Sequence, residues 1–592
     1  MPNNLTSAAG RPRIGERTAV QNLALGIGGL CATAILSIAA SGNAQAQTAF
    51  PGNSLQSCQI GSAFNTDWTE LSPLSGQGGP KLGPAYDKKT GLVYIFPPNG
   101  PSFESTAGDS PCKFFSWGAQ MFYWATSTIT NEIGSPPPAT FPPNSLTPYV
   151  FDTEFYYKVS NAEGSGGTND ENRQFIGQGD NGPEGVLAIR TLKSTEAGQA
   201  GDQDVLISQA DSLVYYGIHT NRLYGYFRTQ QANNSENPSE QFPTTSAEVC
   251  SVLKYSRDSG LSAKTQVSTL IFDKLCPATA TSGDREDQLT ASTLPPLRGD
   301  IIPQIETAVD YLAMTVEMKT SWVDASTVAD TSKYITQTHS VPIYNKLTAD
   351  IWEPAGTETK ELALVGMHIV AGVEGHPEMI WATIEHRNNA PNVTYPYLNG
   401  NNHLAFGSDN AASNDWLFWN PNGPQTTLET LKPSARVHDN GNIVSETGVN
   451  ISPVNVKRFH PWGGPVFPSA SDAITPEMLA TAKTNSDLIS LNQDIINQIN
   501  GFYVANGVEV MDPRLNYFIS GATWTSDGSI PVFNATTPSK VTGSTILANT
   551  TMETFHQEDN CFACHSANAA DEGLTISHIF SNLKPLPIKI VE

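Results

Sequence analysis

Two apolar runs of strand length lie near the middle of the chain, at residues 362–370 and 379–386. The stretch between them contains Gly372, Gly375 and Pro377, which are residues that favour turns. The pattern therefore predicts a pair of antiparallel strands joined by a short connection.

Polar residues interrupt these two predicted strands: His368 on the first, and Glu385 and His386 on the second. Successive side chains of a strand point to opposite faces, so Glu385 would share a face with Trp381 and Thr383. A buried carboxylate or imidazole needs a partner, and we therefore expect a polar cluster. Two interpretations stay open. The cluster is an internal network that fixes the sheet, or it is a catalytic site in which Glu385 or His368 acts as acid or base.

The remaining pattern indicates an α+β fold with a strand-rich mixed body. Further strands are expected at residues 185–189, 204–207, 213–218, 307–323 and, as a strand or short helix, 515–524. An aromatic-rich segment from Cys112 to Trp124 is expected to form a buried helix.

A second helix should begin at Pro476, with Thr475 as its cap, and end at Gly501. We also expect Asn549 to cap a short helix that leads into the C-terminal part of the chain. The predicted organisation has three parts: a signal peptide at 1–46, the strand-rich body with a disulfide-closed insertion at 47–470, and a helical C-terminal segment at 471–592.

The N-terminal region is typical of an export signal. Arg11, Arg13 and Arg17 precede an apolar run at residues 23–40, and small residues at 44–46 offer a cleavage site. An uncleaved anchor is less favoured because Gly, Ser and Thr dilute the run. No later run is long and apolar enough to span a bilayer, so we expect a mature chain that is not membrane-spanning and is periplasmic or extracellular.

The charge of the chain is strongly acidic, at −24 for 592 residues. The leader carries three Arg and one Glu, so its removal changes the net charge to −26. Such a surface argues against nucleic-acid binding and favours a basic redox partner or a cationic ligand.

Four cysteines of the mature chain, Cys58, Cys112, Cys250 and Cys276, predict two disulfides in an exported protein. Three pairings are open. We favour Cys58 with Cys112 and Cys250 with Cys276, because each closes a local loop.

The residues that carry chemistry lie near the C-terminus, in the sequence Cys561-Phe562-Ala563-Cys564-His565. Two cysteines three apart, followed at once by histidine, are the attachment pattern of c-type haem. The two thiols add to the porphyrin vinyl groups and the imidazole binds the iron. With seven Cys and 11 His in the chain, about 0.002 chance occurrences are expected. The alternative is a Cys-x-x-Cys pair that forms a disulfide or binds zinc, with the histidine next to it by chance.

The second axial ligand of such a haem is open. No methionine follows Cys564, so the ligand, if there is one, would be His578 in the tail or Met552 just upstream. The next candidates in order are His556 and then residues of the body, namely Met367, His368 and His386. A six-coordinate iron would shuttle electrons, whereas an open face would bind peroxide or dioxygen.

Two stretches of the chain carry a resemblance to a known family. They are residues 549–555 with the motif that follows, and residues 381–386 with Asn389-Ala390-Pro391 behind them. With these stretches the chain resembles large exported bacterial proteins grouped in the cytochrome c family, which have no established substrate. The resemblance implies one covalent haem c, held by Cys561, Cys564 and His565, and a periplasmic or extracellular location.

These observations favour an exported c-type monohaem protein that acts in electron transfer. The alternative is a haem-dependent peroxidase or oxygenase with an open distal iron site, in which Glu385 or His368 would be the acid or base. A haem-based sensor is a third hypothesis. The single Cys-x-x-Cys-His motif argues against a dihaem peroxidase, and the lack of a fixed internal repeat argues against a propeller fused to a cytochrome domain.

Overall fold

The computed structural model describes much of the chain from residue 47 onward. The described residues are 47–60, 110–126, 149–152, 156–159, 175–176, 204–233, 239–259, 261, 276, 314–438, 440–446, 448–467, 473–505, 512–533, 540–580 and 583–586. The predicted signal peptide and the predicted strand at 185–189 lie outside them.

A large antiparallel sheet is the centre of the described structure. Its strands are β1 (Tyr156–Val159), β2 (Phe175–Ile176), β3 (Tyr215–Asn221), β4 (Val316–Asp324), β5 (Thr336–Lys346), β6 (Ile351–Val373), β7 (His376–His386), β10 (Ala435–Val437), β11 (Ile443–Ser445), β12 (Tyr517–Thr525) and β13 (Val541–Gly543). The order across the sheet is β13-β12-β7-β6-β4-β3-β1-β2, and β5 and β11 also pair with the long strand β6. A separate hairpin joins β8 (Tyr395–Leu398) to β9 (Leu404–Gly407).

The strand pair predicted from residues 362–370 and 379–386 is confirmed as β6 and β7. The strands are antiparallel, with His368 opposite Thr383 and Gly366 opposite Glu385. The connection is a tight turn in which Gly375 has a φ of 76°, a conformation that glycine adopts without strain. Faces alternate as expected, since Ile380, Ala382 and Ile384 belong to one apolar cluster while Met379 and Trp381 belong to another.

The described residues contain five α-helices: α1 (Pro111–Ala125), α2 (Arg222–Asn233), α3 (Ser246–Asp258), α4 (Pro476–Ala505) and α5 (Cys561–Cys564). The aromatic helix is confirmed as α1, whose Phe115, Trp117 and Met121 are buried. Helix α4 begins as predicted, with the Thr475 hydroxyl accepting a bond from the Met478 amide at 3.1 Å. The predicted end at Gly501 is wrong. A glycine inside a helix costs only about 1 kcal/mol relative to alanine, and the helix continues to Ala505.

The helix expected after Asn549 is replaced by a series of turns. The Asn549 side chain does cap the first turn, because its oxygen accepts a bond from the Thr551 amide at 2.9 Å. However, the Thr550 amide donates to Glu385 on β7 at 2.9 Å, so tertiary contacts hold this backbone in place of a helical ladder.

The sheet has a different cover on each face. Helices α1 and α4 contribute to the larger apolar cluster on one face, together with Trp322, Leu364 and Ile380 of the sheet. On the other face, α2, α3 and the tail around Ile576 and Phe580 pack over Ile218, Val370 and Trp381. The mixed α+β fold class is therefore confirmed. The expected helical C-terminal segment is not seen as such: the only α-helix described after β12 is the four-residue α5.

Both expected disulfides are present, Cys58 to Cys112 and Cys250 to Cys276. The first ties the irregular segment at 47–60 to α1, and the second closes a loop from α3. Among the described residues, no helix has both the length and the apolarity needed to cross a bilayer.

Candidate functional site

The Cys-x-x-Cys turn is held in one orientation by the residue before it. Asn560 caps α5, since its oxygen accepts a bond from the Phe562 amide at 2.9 Å. Its amide nitrogen donates to the carbonyls of Ser544 and Thr545 at 3.2 and 3.1 Å, close to the end of β13. Cys561 and Cys564 lie one helical turn apart and form no disulfide.

His565 is oriented as a haem-binding histidine needs to be. Its Nδ1 donates to the Ile576 carbonyl at 2.8 Å, because a carbonyl oxygen can only accept. This bond leaves Nε2 as the ring nitrogen with a lone pair. Burial lowers the pKa of His565 well below its usual value, and the positive charge of Lys319 acts in the same direction, so the imidazole is neutral at pH 7.

Two rings enclose the His565 imidazole. The Trp381 ring on β7 lies 4.3 Å away and the His578 ring stacks on it at 4.1 Å, measured between centroids. The tail that carries Ile576 is itself anchored, because Ser577 donates to Glu317 of β4 at 2.6 Å. The orientation of His565 thus depends on contacts to the central strands as well as on its own turn.

The sheet face that carries Trp381 also carries polar residues near its centre. Lys319 of β4 pairs in register with His368 of β6, which pairs with Thr383 of β7. Lys319 and His368 are only partly buried although their strands lie inside the sheet. The layer that covers this face therefore leaves an opening above Lys319 and His368. Glu553, in the chain segment that covers the sheet here, lies at the edge of this opening and contacts His368. We call Lys319, His368 and Glu553 the polar opening.

His368 connects the sheet to the chain segment ahead of the motif. Its Nε2 donates to both carboxylate oxygens of Glu553, each at 3.0 Å, and its Nδ1 lies 2.8 Å from the Thr383 hydroxyl. Glu553 also accepts from the Asn549 amide at 2.9 Å. Burial tends to raise the pKa of Glu553, but the charges of His368 and Lys319 outweigh it, and the pKa lies below its usual value.

Glu385, the second catalytic candidate, lies in a different network. It is fully buried and forms an ion pair with the equally buried Arg458, 2.7 Å from Nη2 to Oε2. Its carboxylate also accepts from the Thr550 amide and, at 3.3 Å, from Asn389. Every contact of this carboxylate holds chain segments together, so the geometry favours the internal network over an acid or base role. It does not bring Glu385 into the polar opening.

The candidate axial ligands occupy distinct environments. The His578 ring stacks face to face on the His565 ring, and His578 Nε2 donates to the Cys564 carbonyl at 3.2 Å. Met552 is buried in an apolar cluster separate from the one around the motif. His556 lies 4.0 Å from Asp559.

The body candidates divide between the two faces. Met367 packs in the cluster on the far face. His386 stacks on Tyr334 and donates to the Lys333 carbonyl at 3.1 Å. Only His368 lies in the polar opening, and both of its nitrogens are engaged there.

The residues present fit a covalent haem c by their donor chemistry. Attachment needs two thiols on one turn that form no disulfide and a neighbouring neutral imidazole, and Cys561, Cys564 and His565 supply them. Within the described residues, no group of three or more His, Cys, Asp or Glu has the arrangement of a metal-ion site.

Sequence reasoning missed two residues of this site, Lys319 and Glu553. The available signal was the presence of Glu317 and Lys319 in a strand with apolar residues at alternate positions, and it does not reveal the neighbours of either side chain. Glu553 comes close to His368 only through tertiary structure.

Comparisons of the chain with models of protein families, with curated proteins and with solved structures give no match. The resemblance to the cytochrome c family therefore stays a prediction.

Proposed function

We propose that this protein is an exported c-type monohaem protein that transfers electrons, with the haem attached to Cys561 and Cys564 and bound by His565. When bound, the haem supplies an iron centre that gains and loses one electron. The observation that carries the proposal is the bond from His565 Nδ1 to the Ile576 carbonyl. It fixes the ring tautomer that a ligating histidine requires, next to two cysteines that form no disulfide.

The position of the motif supports exchange of electrons with a partner. Ala563 within the turn and Asn568 just after it are exposed, while Cys561 and Cys564 are half-buried. A group attached here would lie close to the protein surface. The net charge of −24 favours a basic redox protein as the partner, since opposite charges speed encounter.

The attachment is tested by producing the protein in a host that matures c-type cytochromes. We expect the wild type to keep its haem through denaturing electrophoresis and the double variant Cys561→Ser/Cys564→Ser to lose it. The matched control is Cys250→Ser/Cys276→Ser, which removes two cysteines elsewhere and should keep the haem. Equal haem retention in the two double variants would refute attachment at the motif.

Electron transfer is tested by mixing the reduced holoprotein with a basic soluble cytochrome and following oxidation of its haem. The rate should fall as the salt concentration rises, because ions screen the attraction of opposite charges. A holoprotein that exchanges no electrons with any added donor or acceptor would refute the function. A rate that is independent of salt would refute only the basic partner.

A haem-dependent peroxidase or oxygenase is the second candidate, and the polar opening is the observation that favours it. Charged side chains at the centre of a covered sheet face are costly, and here they lie on the face that also carries Trp381, whose ring packs against His565. Peroxide-dependent oxidation of a dye by the holoprotein would support this candidate, and its absence at all peroxide concentrations would remove it.

A further inference from the structure

Phe533 is an exposed aromatic residue beside the Cys-x-x-Cys-His motif. It is 59% exposed, and among the large apolar residues that are exposed in the described part of the chain it is the one aromatic. The Phe533 amide donates to the Ala567 carbonyl at 2.9 Å, and the Ala567 amide donates to the Pro531 carbonyl at 2.8 Å. Ala567 follows His565 by two residues, so these bonds hold the backbone that carries the ring next to the proposed haem-binding histidine.

The chain segment that leads to Phe533 is anchored along the tail. Ile530 is buried, and a Cβ added at Gly573 would lie 3.0 Å from its terminal methyl group. Val532 forms a parallel bridge with Ala567. The backbone at Phe533 is therefore already ordered, and little conformational entropy is lost when a partner packs on the ring.

The exposed residues of the motif and of the turn after it are small and uncharged. They are Ala563 within the Cys-x-x-Cys turn, Asn568 and Ala570. Small side chains let a partner approach the backbone closely, and the centre of a protein interface is depleted of charged residues. An aromatic ring next to small neighbours matches the composition of such a centre, because aromatic side chains are the usual anchors there.

Carboxylates flank these small residues on both sides along the chain. Glu558 and Asp559 come shortly before Cys561, and Asp571 and Glu572 follow the small residues; all four carboxylate residues are exposed. Residues 541–583 contain no lysine or arginine, so no positive charge in this stretch offsets them. We call the following residues the docking surface: Phe533, Glu558, Asp559, Ala563, Asp571 and Glu572.

We propose that the docking surface binds the basic redox partner of this protein. Phe533 packs into an apolar centre of the partner, and the four carboxylates face its lysine and arginine side chains. Opposite charges speed the encounter, while the buried ring lowers the rate at which the complex dissociates. The inference rests on the proposed function and adds to it the place at which the partner binds.

Charge complementarity selects this occupant over others. A second copy of the chain would place carboxylates opposite carboxylates, and like charges across an interface are costly. An anionic lipid surface or a nucleic acid would be repelled in the same way. A protein with a cationic rim around an apolar centre fits both parts of the docking surface.

The test measures binding of the holoprotein to a basic soluble cytochrome c by titration calorimetry at low salt. We expect Phe533→Ser to weaken binding by about fivefold, as loss of an interface anchor does. Asp571→Asn/Glu572→Gln should weaken binding by a similar factor and make it less dependent on salt, because fewer charges are left to be screened. The salt dependence of Phe533→Ser should equal that of the wild type.

Each variant has a matched control elsewhere on the surface. Leu347→Ser removes an apolar residue that is 58% exposed, at the connection between β5 and β6. Glu353→Gln/Glu477→Gln removes two exposed carboxylates, one on β6 and one at the start of α4, and changes the net charge by the same amount. Both controls should bind the cytochrome within about twofold of the wild type. Haem content and circular dichroism establish that each variant is folded and loaded.

A small anionic oxidant tests the sign of the electrostatic effect. Hexacyanoferrate(III) should oxidise the ferrous Asp571→Asn/Glu572→Gln holoprotein at least as fast as the wild type, because the variant repels an anion less. The same variant should transfer electrons to the basic cytochrome more slowly than the wild type at low salt. A slower reaction with the anion would overturn the role of the carboxylates.

The outcomes separate the two proposals. A protein without haem, or a loaded protein that exchanges no electrons with any acceptor, refutes the proposed function itself. If the loaded protein transfers electrons but Phe533→Ser and Asp571→Asn/Glu572→Gln bind the cytochrome as tightly as their controls, the docking surface alone is overturned. A holoprotein that sediments as a dimer, and as a monomer in Phe533→Ser, would show that a second copy occupies the surface and would also overturn it.

Discussion

The buried ion pair between Glu385 and Arg458 makes a strong prediction about stability. The side chain of Glu385 is 0% exposed and that of Arg458 is 2% exposed, and the guanidinium also donates to Asn392. In Arg458→Met the Glu385 carboxylate keeps only the bonds from the Thr550 amide and Asn389 and loses its counter-charge. Removing one partner of such a pair costs about 3–5 kcal/mol, so we expect a loss of this size in the free energy of unfolding.

The assay is urea unfolding followed by tryptophan fluorescence, with variants compared at the transition midpoint. The double variant Glu385→Leu/Arg458→Met should recover most of the loss, because an apolar pair leaves no buried charge. Lys540→Met serves as the control. It breaks an exposed ion pair to Asp527 and should change stability by less than about 1 kcal/mol.

A loss below about 1 kcal/mol in Arg458→Met would contradict the structural role assigned to the pair. A double variant as unstable as Arg458→Met would contradict the explanation by an unpaired charge. The same proteins separate structure from chemistry: with the double variant folded and loaded with haem, unchanged peroxide-dependent dye oxidation would eliminate Glu385 as an acid or base.

Three further predictions concern other parts of the fold. Burial lowers the pKa of His386 to about 3. Between pH 6.5 and 3 the unfolded chain therefore binds a proton that the folded chain does not, and the free energy of unfolding should fall by about 1.4 kcal/mol per pH unit as the pH decreases. His386→Gln should make urea midpoints less dependent on pH in this range, and an unchanged slope would contradict the neutral buried form. In Gly366→Ala the added Cβ would overlap the Thr551 hydroxyl and approach Ser321. The control is Gly356→Ala, where the Cβ meets no neighbour although the positive φ is strained. Gly366→Ala should yield less haem-loaded protein than this control, and equal yields would contradict the packing of the 549–553 segment against the sheet. Cys250→Ala/Cys276→Ala opens a loop of 26 residues and should lower the free energy of unfolding by about 3 kcal/mol, whereas a urea midpoint equal to that of the wild type would contradict a stabilising role.

The sequence was most informative where local rules act alone. The hairpin of β6 and β7 follows from apolar alternation with glycine between the strands, and α1 follows from aromatic spacing behind a proline. Both disulfides could be predicted because each joins cysteines that are close in the chain. These features depend on a few neighbouring residues, so no knowledge of the whole fold was needed.

Prediction was weaker where tertiary contacts override local preference. Asn549 was expected to start a helix, but Glu385 and His368 hold that segment as turns from positions more than 160 residues away. The same contacts explain why Glu553 was missed as a site residue. Periodicity places His368 on a face of the sheet, yet it cannot show which segment covers that face or where the cover leaves an opening.

The claim on which the functional account depends is that a porphyrin is joined to Cys561 and Cys564 through two thioether bonds. The direct test is the intact mass of the mature protein, made in a host able to mature c-type cytochromes and measured after denaturation in acid. We predict a mass that exceeds that of the polypeptide by one haem. A mass equal to that of the polypeptide alone would contradict the account.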